Sequence, residues 1–323
     1  MQEKPEQPGE IRHYRRLAKK IIRSHFGEPA SRIVYRSSGL TNYVFVVNHV
    51  QGQFVIRISP DRERLDTFRK ELWATEKVRK AGVPSPEVLA VGNDAISEPY
   101  MISRRVTGTE ASHHPKRKRI VQQMGEYASI INSIPTEGFG ANFDWTDSGP
   151  KYLTWDDYLH AEFQLDERLD FFATEKILSK TDLETLTQIL EDTKTKRIKP
   201  SLNHGDLRLK NVIVDDDGEV AAIVDWEECL STLAPHWELS IALHDLSIDE
   251  KHILLEGYGM DGSTFEQMAP LITAFNIVNY YGPIRAAVEQ GDDKTVAQFK
   301  LRLRGSLDLY SLPAQGRCAT AVF

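Results

Sequence analysis

The sequence predicts an α+β protein in which a small, antiparallel, β-rich part is followed by a larger part made mainly of helices. Two observations support this fold class. Apolar runs with strand-like spacing lie almost entirely before residue 105, whereas later apolar positions recur with the period of an α-helix. In addition, the length of 323 residues is sufficient for two parts that each bury a core.

Turn-forming residues divide the first part into its elements. Apolar positions with helical spacing predict a helix over residues 11–26, and three strand-like runs follow it as an antiparallel meander. The small residues Ser37-Ser38-Gly39 separate the first two runs, and Gly82 ends an amphipathic helix over residues 61–81. The predicted strands are 32–36, 43–49, 53–58, 88–91 and 100–104.

Helical periodicity dominates the second part, and Gly108 marks the predicted boundary between the two. A single β patch over about 200–225 interrupts the helices. The predicted helices are 115–133, 153–171, 181–196, 232–247, 264–290 and 294–311. We therefore expect a disordered tail over 1–10, an N-terminal lobe over 11–105, a C-terminal lobe over 106–313 and a tail over 314–323.

Composition excludes several classes of protein. Two cysteines, Cys229 and Cys318, cannot form a disulfide framework or a four-thiolate metal site. The sequence has neither a run of about 18 apolar residues nor a signal-like apolar segment, so we expect a cytoplasmic protein without a membrane partner. The acidic balance of the second part and the lack of a nucleic-acid-binding motif argue against a nucleic-acid partner. The expected oligomeric state is a monomer or a homodimer.

Charge is distributed unevenly along the chain. Residues 1–105 contain 19 Lys and Arg against 12 Asp and Glu, which gives a net charge of +7, and the remainder carries −14. Two interpretations are open. The solvated faces of the two parts can simply differ in sign, or the basic part holds an anionic ligand and the acidic part receives a cationic one.

The segment Leu202–Val214, which reads LNHGDLRLKNVIV, carries the strongest functional signal. Asp206 and Asn211 lie on one predicted loop that leads into a hairpin, and the returning strand brings Asp225 back beside Asn211. One amide oxygen and one carboxylate suit Mg²⁺, which binds few protein ligands together with phosphate oxygens and water. A further carboxylate, that of Asp206, can accept a proton from an attacking hydroxyl, as phosphoryl transfer requires.

The motif H-G-D-x-x-x-x-N, followed by a hydrophobic hairpin and D-W-E, resembles the catalytic loop and metal-binding segment of the aminoglycoside phosphotransferase family. The hygromycin-type antibiotic kinases are among the members most similar in pattern. The resemblance implies a protein-kinase-like two-lobe fold with a β-rich N-lobe and a larger helical C-lobe. It also implies that Asp206 is the catalytic base and that Asn211 and Asp225 hold Mg²⁺.

Three further residues near this motif have implied roles. By the same resemblance, His204 orients the catalytic loop and is not a metal ligand. Arg208 lies two positions after Asp206, where protein kinases carry a lysine, and could stabilise the charge of the transition state. Glu238 stands where the family has an aspartate that braces the loop, so that both a longer brace and the absence of a brace are open.

The turn between the first two strands is the predicted phosphate-covering loop. It includes Ser38, Gly39 and Thr41, whose small side chains would let backbone N–H groups approach phosphate oxygens. The loop resembles the nucleotide-positioning loop of the family, and the resemblance implies ATP or GTP as the phosphate donor, with Mg²⁺.

Two more predictions concern the nucleotide. Arg57, on the third strand, is the predicted cation for the phosphates, and Glu71 is the predicted carboxylate that holds it. A purely structural ion pair is the alternative for these two residues. By position alone, the segment with Met101, Ile102 and Ser103 matches the hinge of the family, where adenine would bond to the backbone.

Acidic residues in the second part point to the acceptor. Asp157, Glu227 and Glu228 are the predicted substrate contacts, and a cationic, hydroxylated small molecule would be attracted to such a surface. The alternative is that these side chains belong to solvated helix faces. The leading function is therefore phosphate transfer from ATP or GTP to an aminoglycoside-type antibiotic. A metabolic kinase for choline, homoserine or a sugar is the runner-up, and a nucleotide-binding pseudokinase is the alternative of a different class.

Overall fold

Five antiparallel strands form the framework of the first of two units into which the chain divides. The computed structural model describes residues 8–37, 41–194 and 198–311. Met1–Ala111 and Asn211–Glu227 make up the first unit, and Ser112–Lys210 and Glu228–Phe323 make up the second. The segment 211–227, which the predicted lobe boundary assigns to the second part, thus belongs to the first unit. The lobe boundaries themselves stay a prediction.

The elements of the first unit agree closely with the expected order. The strands run in the spatial order β1-β2-β3-β5-β4, and each neighbouring pair is antiparallel. The first helix begins three residues earlier than predicted, at Pro8, so that residues 8–10 are helical and do not belong to a disordered tail. The elements are α1 (Pro8–Phe26), β1 (Arg32–Arg36), β2 (Tyr43–His49), β3 (Gly52–Ile58), α2 (Leu65–Lys80), β4 (Val88–Gly92) and β5 (Tyr100–Arg104).

Strand alternation and the apolar stripe of α1 together build the core of this unit. Phe45 on β2 faces Ile56 on β3 in the strand register, and both side chains are fully buried. Ile21 and Ile22 of α1 are buried in the same cluster. Burial of such side chains is the main favourable contribution to folding, at about 1.5–3 kcal/mol each. The helix therefore covers one side of the meander.

A hairpin from later in the sequence completes the first unit. Strands β8 (Val212–Val214) and β9 (Val220–Ile223) pair antiparallel, and β6 (Thr109–Glu110) adds to β8. The turn has the expected acidic sequence, and the Asp215 side chain accepts hydrogen bonds from the N–H groups of Asp217 and Glu219. Gly108 has a φ of +141°, and a Cβ there would lie 2.5 Å from the Val214 carbonyl oxygen. Only glycine fits this approach.

The second unit consists mainly of helices, with one small two-stranded sheet. In that sheet, β7 pairs antiparallel with β10, so that Asn203 lies opposite Leu230. The helices are α3 (Arg117–Asn132), α4 (Trp155–Ala161), α5 (Leu165–Thr174), α6 (Lys180–Lys194), α7 (His236–Ala242), α8 (Ile248–Tyr258), α9 (Gly262–Asn279), α10 (Tyr281–Glu289) and α11 (Asp293–Ser311); the strands are β7 (Ser201–Asn203) and β10 (Leu230–Thr232).

Three of the predicted helices differ from those observed. The one over 153–171 is broken into α4 and α5, because Gln164 adopts the left-handed conformation with a φ of 54°. The one over 264–290 is divided into α9 and α10. The one over 232–247 is confined to His236–Ala242, and β10 occupies the residues before it.

Helix α8 is not among the predicted helices. A capping box marks its start: the Ser247 hydroxyl accepts from the N–H of Glu250, and the Glu250 carboxylate accepts from the N–H of Ser247. The sequence signal for this arrangement, Ser-x-x-Glu, is present at 247–250. Arg117 of α3 contacts the same Glu250 carboxylate, with 2.7 Å between Nε and Oε1, and thus joins α8 to α3.

Aromatic side chains form the centre of the second unit. Trp155 of α4 contacts Phe275 of α9, and Tyr158 of α4 contacts Trp237 of α7. Trp237 also contacts Phe163 and Phe275. The ring centroids in this cluster are 5.2–6.4 Å apart. Edge-on and tilted arrangements of this kind are favoured by the ring quadrupoles. Among residues 8–37, 41–194 and 198–311, no helix has the length and hydropathy needed to cross a bilayer.

Candidate functional site

The loop that follows β7 is held in place by hydrogen bonds to its own backbone. His204 is fully buried, and its Nδ1 accepts from the N–H of Asp206 at 3.2 Å. Gly205 has a φ of +80°, and a Cβ there would collide with the Glu228 backbone. The predicted loop-orienting histidine thus lies inside the loop that it was expected to orient. Its contribution to activity stays a prediction.

Glu238 braces this loop from the first turn of α7. The Glu238 side chain is fully buried, and its Oε2 accepts a hydrogen bond from the N–H of His204. Burial raises the pKa of Glu238 to about 7, although the N–H groups of His204, Gly205 and Leu207 favour the ionised form. The longer side chain therefore reaches the loop, which answers the question that the sequence left open.

Asp206 carries a cation on each of its two carboxylate oxygens. Its Oδ1 accepts from Arg208 Nε at 2.7 Å, and its Oδ2 lies 2.7 Å from Lys210 Nζ. Burial raises the pKa of Asp206, but the hydrogen bond from Lys210 and the charge of Arg208 outweigh it, so that the pKa is lowered. The carboxylate is therefore ionised near neutral pH, as a proton acceptor must be.

Sequence reasoning missed Lys210 at this position. Arg208, which the sequence predicts to stabilise the charge of the transition state, contacts Asp206 and also a second carboxylate: its Nη1 lies 3.2 Å from Asp245 Oδ2. Its predicted role stays a prediction. Asp245 in turn contacts Arg302 of α11, with 3.2 Å between Oδ1 and Nη2. Residues 206–208 are not helical, so the spacing of four residues between Asp206 and Lys210 gave no local signal for this contact.

The end of the β8–β9 hairpin brings the two predicted metal ligands together in the first unit. The Asn211 carbonyl oxygen accepts from the N–H of Val224 at 2.9 Å, so that Asn211 lies beside the residue that precedes Asp225. Asp225 has a φ of 68°, a left-handed conformation that non-glycine residues rarely adopt. An amide oxygen and a carboxylate at one hairpin end are hard oxygen donors, and they fit Mg²⁺.

Arg57 of β3 and Glu71 of α2 form the ion pair that the sequence predicts. Glu71 is buried, and the Arg57 guanidinium also lies over the Phe68 ring, 5.3 Å from its centroid. Burial alone would lower the pKa of Arg57, but the Glu71 carboxylate raises it above its ordinary value, so that Arg57 stays cationic. Of the phosphate-covering loop, Thr41 is exposed, and Ser38 and Gly39 lie outside the described residues.

Glu227, a predicted acceptor contact, lies in the first unit and forms an ion pair with Arg64, with 2.7 Å between Oε2 and Nη2. Burial and the neighbouring Asp225 carboxylate raise the pKa of Glu227. The other two predicted contacts belong to the second unit. Glu228 is exposed, and Asp157 accepts from the Thr154 hydroxyl at 2.6 Å where α4 begins. Acceptor binding by all three stays a prediction.

Much of the acidic surface of the second unit is paired locally. Asp166 bonds to His160 Nδ1 at 2.7 Å, and Glu167 bonds to Arg285 Nη1 at 2.8 Å. The Glu162 carboxylate accepts from the N–H of Ala141 at 2.9 Å. These contacts agree with the structural interpretation of the acidic residues, since a paired carboxylate attracts a cationic ligand less strongly.

The predicted hinge residues Met101, Ile102 and Ser103 lie within β5, with β3 on one side and β4 on the other. The backbone groups of a strand with neighbours on both sides are used by the sheet. Beyond the strand, the N–H of Arg105 still donates to the Gln53 carbonyl oxygen at 3.0 Å. Backbone outside the sheet therefore begins at Val106, which is a second candidate for the adenine contact. The contact at 101–103 stays a prediction.

Comparisons with known proteins show which family this chain resembles. A model of the phosphotransferase enzyme family (APH) matches residues 32–271. A hygromycin-B 4-O-kinase of Escherichia coli is 28% identical over 217 residues, which are 63% of this chain and 59% of that protein. The chain thus spans about three-fifths of the length of this curated relative.

Two solved structures show the same fold. A thermostable mutant of aminoglycoside phosphotransferase APH(4)-Ia, in complex with AMP-PNP and hygromycin B, has a TM-score of 0.63 at 20% identity and covers 90% of this chain and 98% of its own. The GDP complex of aminoglycoside 2'-phosphotransferase-IIIa has a TM-score of 0.65 at 16% identity, with 92% and 98% covered. The predicted kinase-like α+β fold is confirmed.

Replacement of Glu71 tests the buried ion pair. We expect Glu71→Leu to lower the free energy of unfolding by about 3–5 kcal/mol, because it leaves the Arg57 guanidinium buried and uncompensated. The double variant Arg57→Met/Glu71→Leu should regain much of that loss. Urea unfolding measures both. The control is Asp66→Asn, which breaks an exposed pair with Arg69 on the same helix and should change stability by less than about 1 kcal/mol. Equal losses in the single and the double variant would contradict the prediction.

Glu238 should make stability depend on pH. Its folded-state pKa of about 7 lies above the ordinary 4.5, so folding favours the protonated form. Stability from this group is therefore complete below about pH 4.5 and is lost as the pH rises through about 7. We expect Glu238→Gln to remove up to about 3 kcal/mol of the difference in unfolding free energy between pH 5 and pH 8. Exposed Glu266→Gln is the control. An unchanged pH dependence in the Glu238 variant would show that the side chain does not titrate in this way.

Proposed function

This chain belongs to the phosphotransferase enzyme family, and from that membership we propose that it transfers the γ-phosphate of ATP or GTP to a hydroxyl of a small molecule. One observation carries the proposal. The Asp206 carboxylate is kept ionised by Arg208 and Lys210 on a braced loop. Five residues further along the chain, Asn211 begins the hairpin whose other end is Asp225. A proton acceptor and two metal ligands thus belong to one continuous segment.

The nucleotide would be held by the first unit. Arg57, kept cationic by Glu71, offers a planar fork that matches phosphate oxygens. Thr41 belongs to the turn between β1 and β2, and the backbone of such a turn can donate N–H groups to phosphate. The backbone at Val106, beyond the last paired residue of β5, is the proposed contact for the purine edge.

Asn211 and Asp225 are the proposed Mg²⁺ ligands. The bound ion would neutralise charge on the β- and γ-phosphates. The Glu227 carboxylate is coupled electrostatically to Asp225, and its ion pair with Arg64 limits the negative charge at this hairpin end. The residues of the chain therefore supply oxygen donors without an excess of unpaired carboxylates.

In the proposed reaction, a carboxylate oxygen of Asp206 takes the proton of the acceptor hydroxyl. The acceptor oxygen forms a bond to the γ-phosphorus, and the bond between that phosphorus and the β–γ bridging oxygen breaks. The electron pair of the broken bond stays on the departing nucleoside diphosphate. The lowered pKa of Asp206 keeps the carboxylate ionised but makes it a weaker base, which favours proton transfer late in the reaction.

An aminoglycoside is the proposed acceptor, since hygromycin B is named for one relative and was bound in one solved structure. The local pairing of acidic residues in the second unit favours a second candidate, an alcohol with fewer ammonium groups such as choline, homoserine or a sugar. We place the enzyme in the cytoplasm, as a monomer or homodimer. Release of nucleoside diphosphate in the presence of each acceptor would distinguish the two candidates.

Replacement of Asp206 tests the proposed reaction. We expect Asp206→Asn to lower kcat by about 10²–10⁴, because an amide cannot take the proton of the acceptor. Calorimetry with Mg²⁺-ATP should show nucleotide affinity within about twofold of wild type. Asp216→Asn, in the exposed hairpin turn, is the matched control and should keep full activity. Turnover like that of wild type in the Asp206 variant would remove this residue from the role of proton acceptor.

A further inference from the structure

Two cations share the Asp206 carboxylate, and they are held differently. Arg208 contacts Asp206 through Nε and Asp245 through Nη1, so that one guanidinium spans two carboxylates. Asp245 is itself held by Arg302 of α11. Moving Arg208 away from Asp206 would disturb both of its carboxylate contacts at once. Its planar fork suits such a fixed, two-sided arrangement.

Lys210 is held by a single ion pair. Its Nζ lies 2.7 Å from Asp206 Oδ2, and its side chain is 45% exposed, compared with 30% for Arg208. Within the part of the chain that the structure describes, no second ion pair or hydrogen bond holds this ammonium group. Only the Lys210 end of this pair is exposed, since the Asp206 side chain is 19% exposed. Water can therefore solvate the ammonium group when it leaves the carboxylate, which lowers the cost of its release. The four-carbon stem of lysine lets the charge move several ångströms without any backbone change.

Chain position places Lys210 directly before Asn211, and the two residues share the short helical turn Leu209–Asn211. Asn211 is a proposed ligand of the ion that accompanies the phosphates. The lysine therefore begins its side chain one residue from the metal-binding segment, whereas Arg208 is anchored toward α11 through Asp245.

We propose that Lys210 is the residue that contacts the transferring phosphoryl group, and that Arg208 is a positioning residue that keeps Asp206 in place. This inference rests on the proposed function. When Asp206 Oδ2 takes the proton of the acceptor hydroxyl, the carboxylate loses its charge and its hold on Lys210. At the same moment, negative charge spreads over the equatorial oxygens of the phosphoryl group. The ammonium group, which keeps its three protons, then interacts with those oxygens.

The experiment compares Lys210→Gln with Arg208→Gln in the full-length enzyme. With an acceptor found by nucleoside-diphosphate release, we expect Lys210→Gln to lower kcat by about 10²–10³ and to leave the KM for the acceptor unchanged. Calorimetry with ADP should give the wild-type affinity for Lys210→Gln. The transition-state mimic formed by ADP, Mg²⁺ and aluminium fluoride should bind at least about tenfold more weakly. Lys210→Arg should restore part of the binding of the mimic.

Arg208→Gln is the matched comparison, because it removes the other cation from the same carboxylate. It should lower kcat while the ratio of mimic affinity to ADP affinity stays at the wild-type value. The proposal is overturned if Lys210→Gln keeps that ratio, or if Arg208→Gln is the variant that loses it. If the wild-type enzyme is active and either variant gives one of these results, only the assignment of Lys210 is overturned and the proposed function is unaffected. A wild-type protein that phosphorylates no hydroxylated acceptor overturns the proposed function, and this inference with it.

Discussion

The loop His204–Leu207 is largely buried, and its backbone N–H groups need hydrogen-bond acceptors inside the protein. The position of the Asp206 side chain in the second unit depends on this requirement. The backbone from His204 to Leu207 turns sharply inside the protein, where each unpaired N–H group would cost free energy. The Glu238 carboxylate accepts a hydrogen bond from the N–H of His204, and Nδ1 of the His204 ring accepts one from the N–H of Asp206. The direction of the Asp206 side chain depends on this backbone. Burial of the Glu238 side chain costs desolvation free energy, but without this side chain the N–H of His204 would lose its acceptor.

The cations around Asp206 form the next step outward from that loop. Arg208, Asp245 and Arg302 alternate in charge and connect the loop to α11. A chain of alternating charges restrains its inner members more than its ends, because each inner group has two partners. Lys210 is at an end and contacts one carboxylate, whereas Arg208 contacts two. The same local electrostatics thus keep Asp206 ionised and leave one cation able to move.

Much of the first unit could be predicted because its signals are local. Strands β1 and β2 lie where alternation placed them, β3 begins one residue earlier, and the Arg57–Glu71 pair follows from the order of strand and helix. Helix α8 had only a capping signal and a weak apolar pattern, and it is stabilised by packing on α3. The ion pair between Arg64 and Glu227 joins residues 163 positions apart. Such a contact depends on the tertiary structure, and no local sequence pattern predicts it.

The net charge of a long segment does not determine the electrostatic field at a binding site within it. The part of the chain after residue 105 carries −14, which suggests a surface that attracts cations. However, several of its carboxylates are used in local pairs, and the carboxylate with the clearest chemical role has two cations of its own. Because opposite charges a few ångströms apart largely cancel at longer range, the field at a ligand depends on which groups remain unpaired. The acidity of the second part is therefore a weak argument for a polycationic acceptor, and the relatives provide the stronger one.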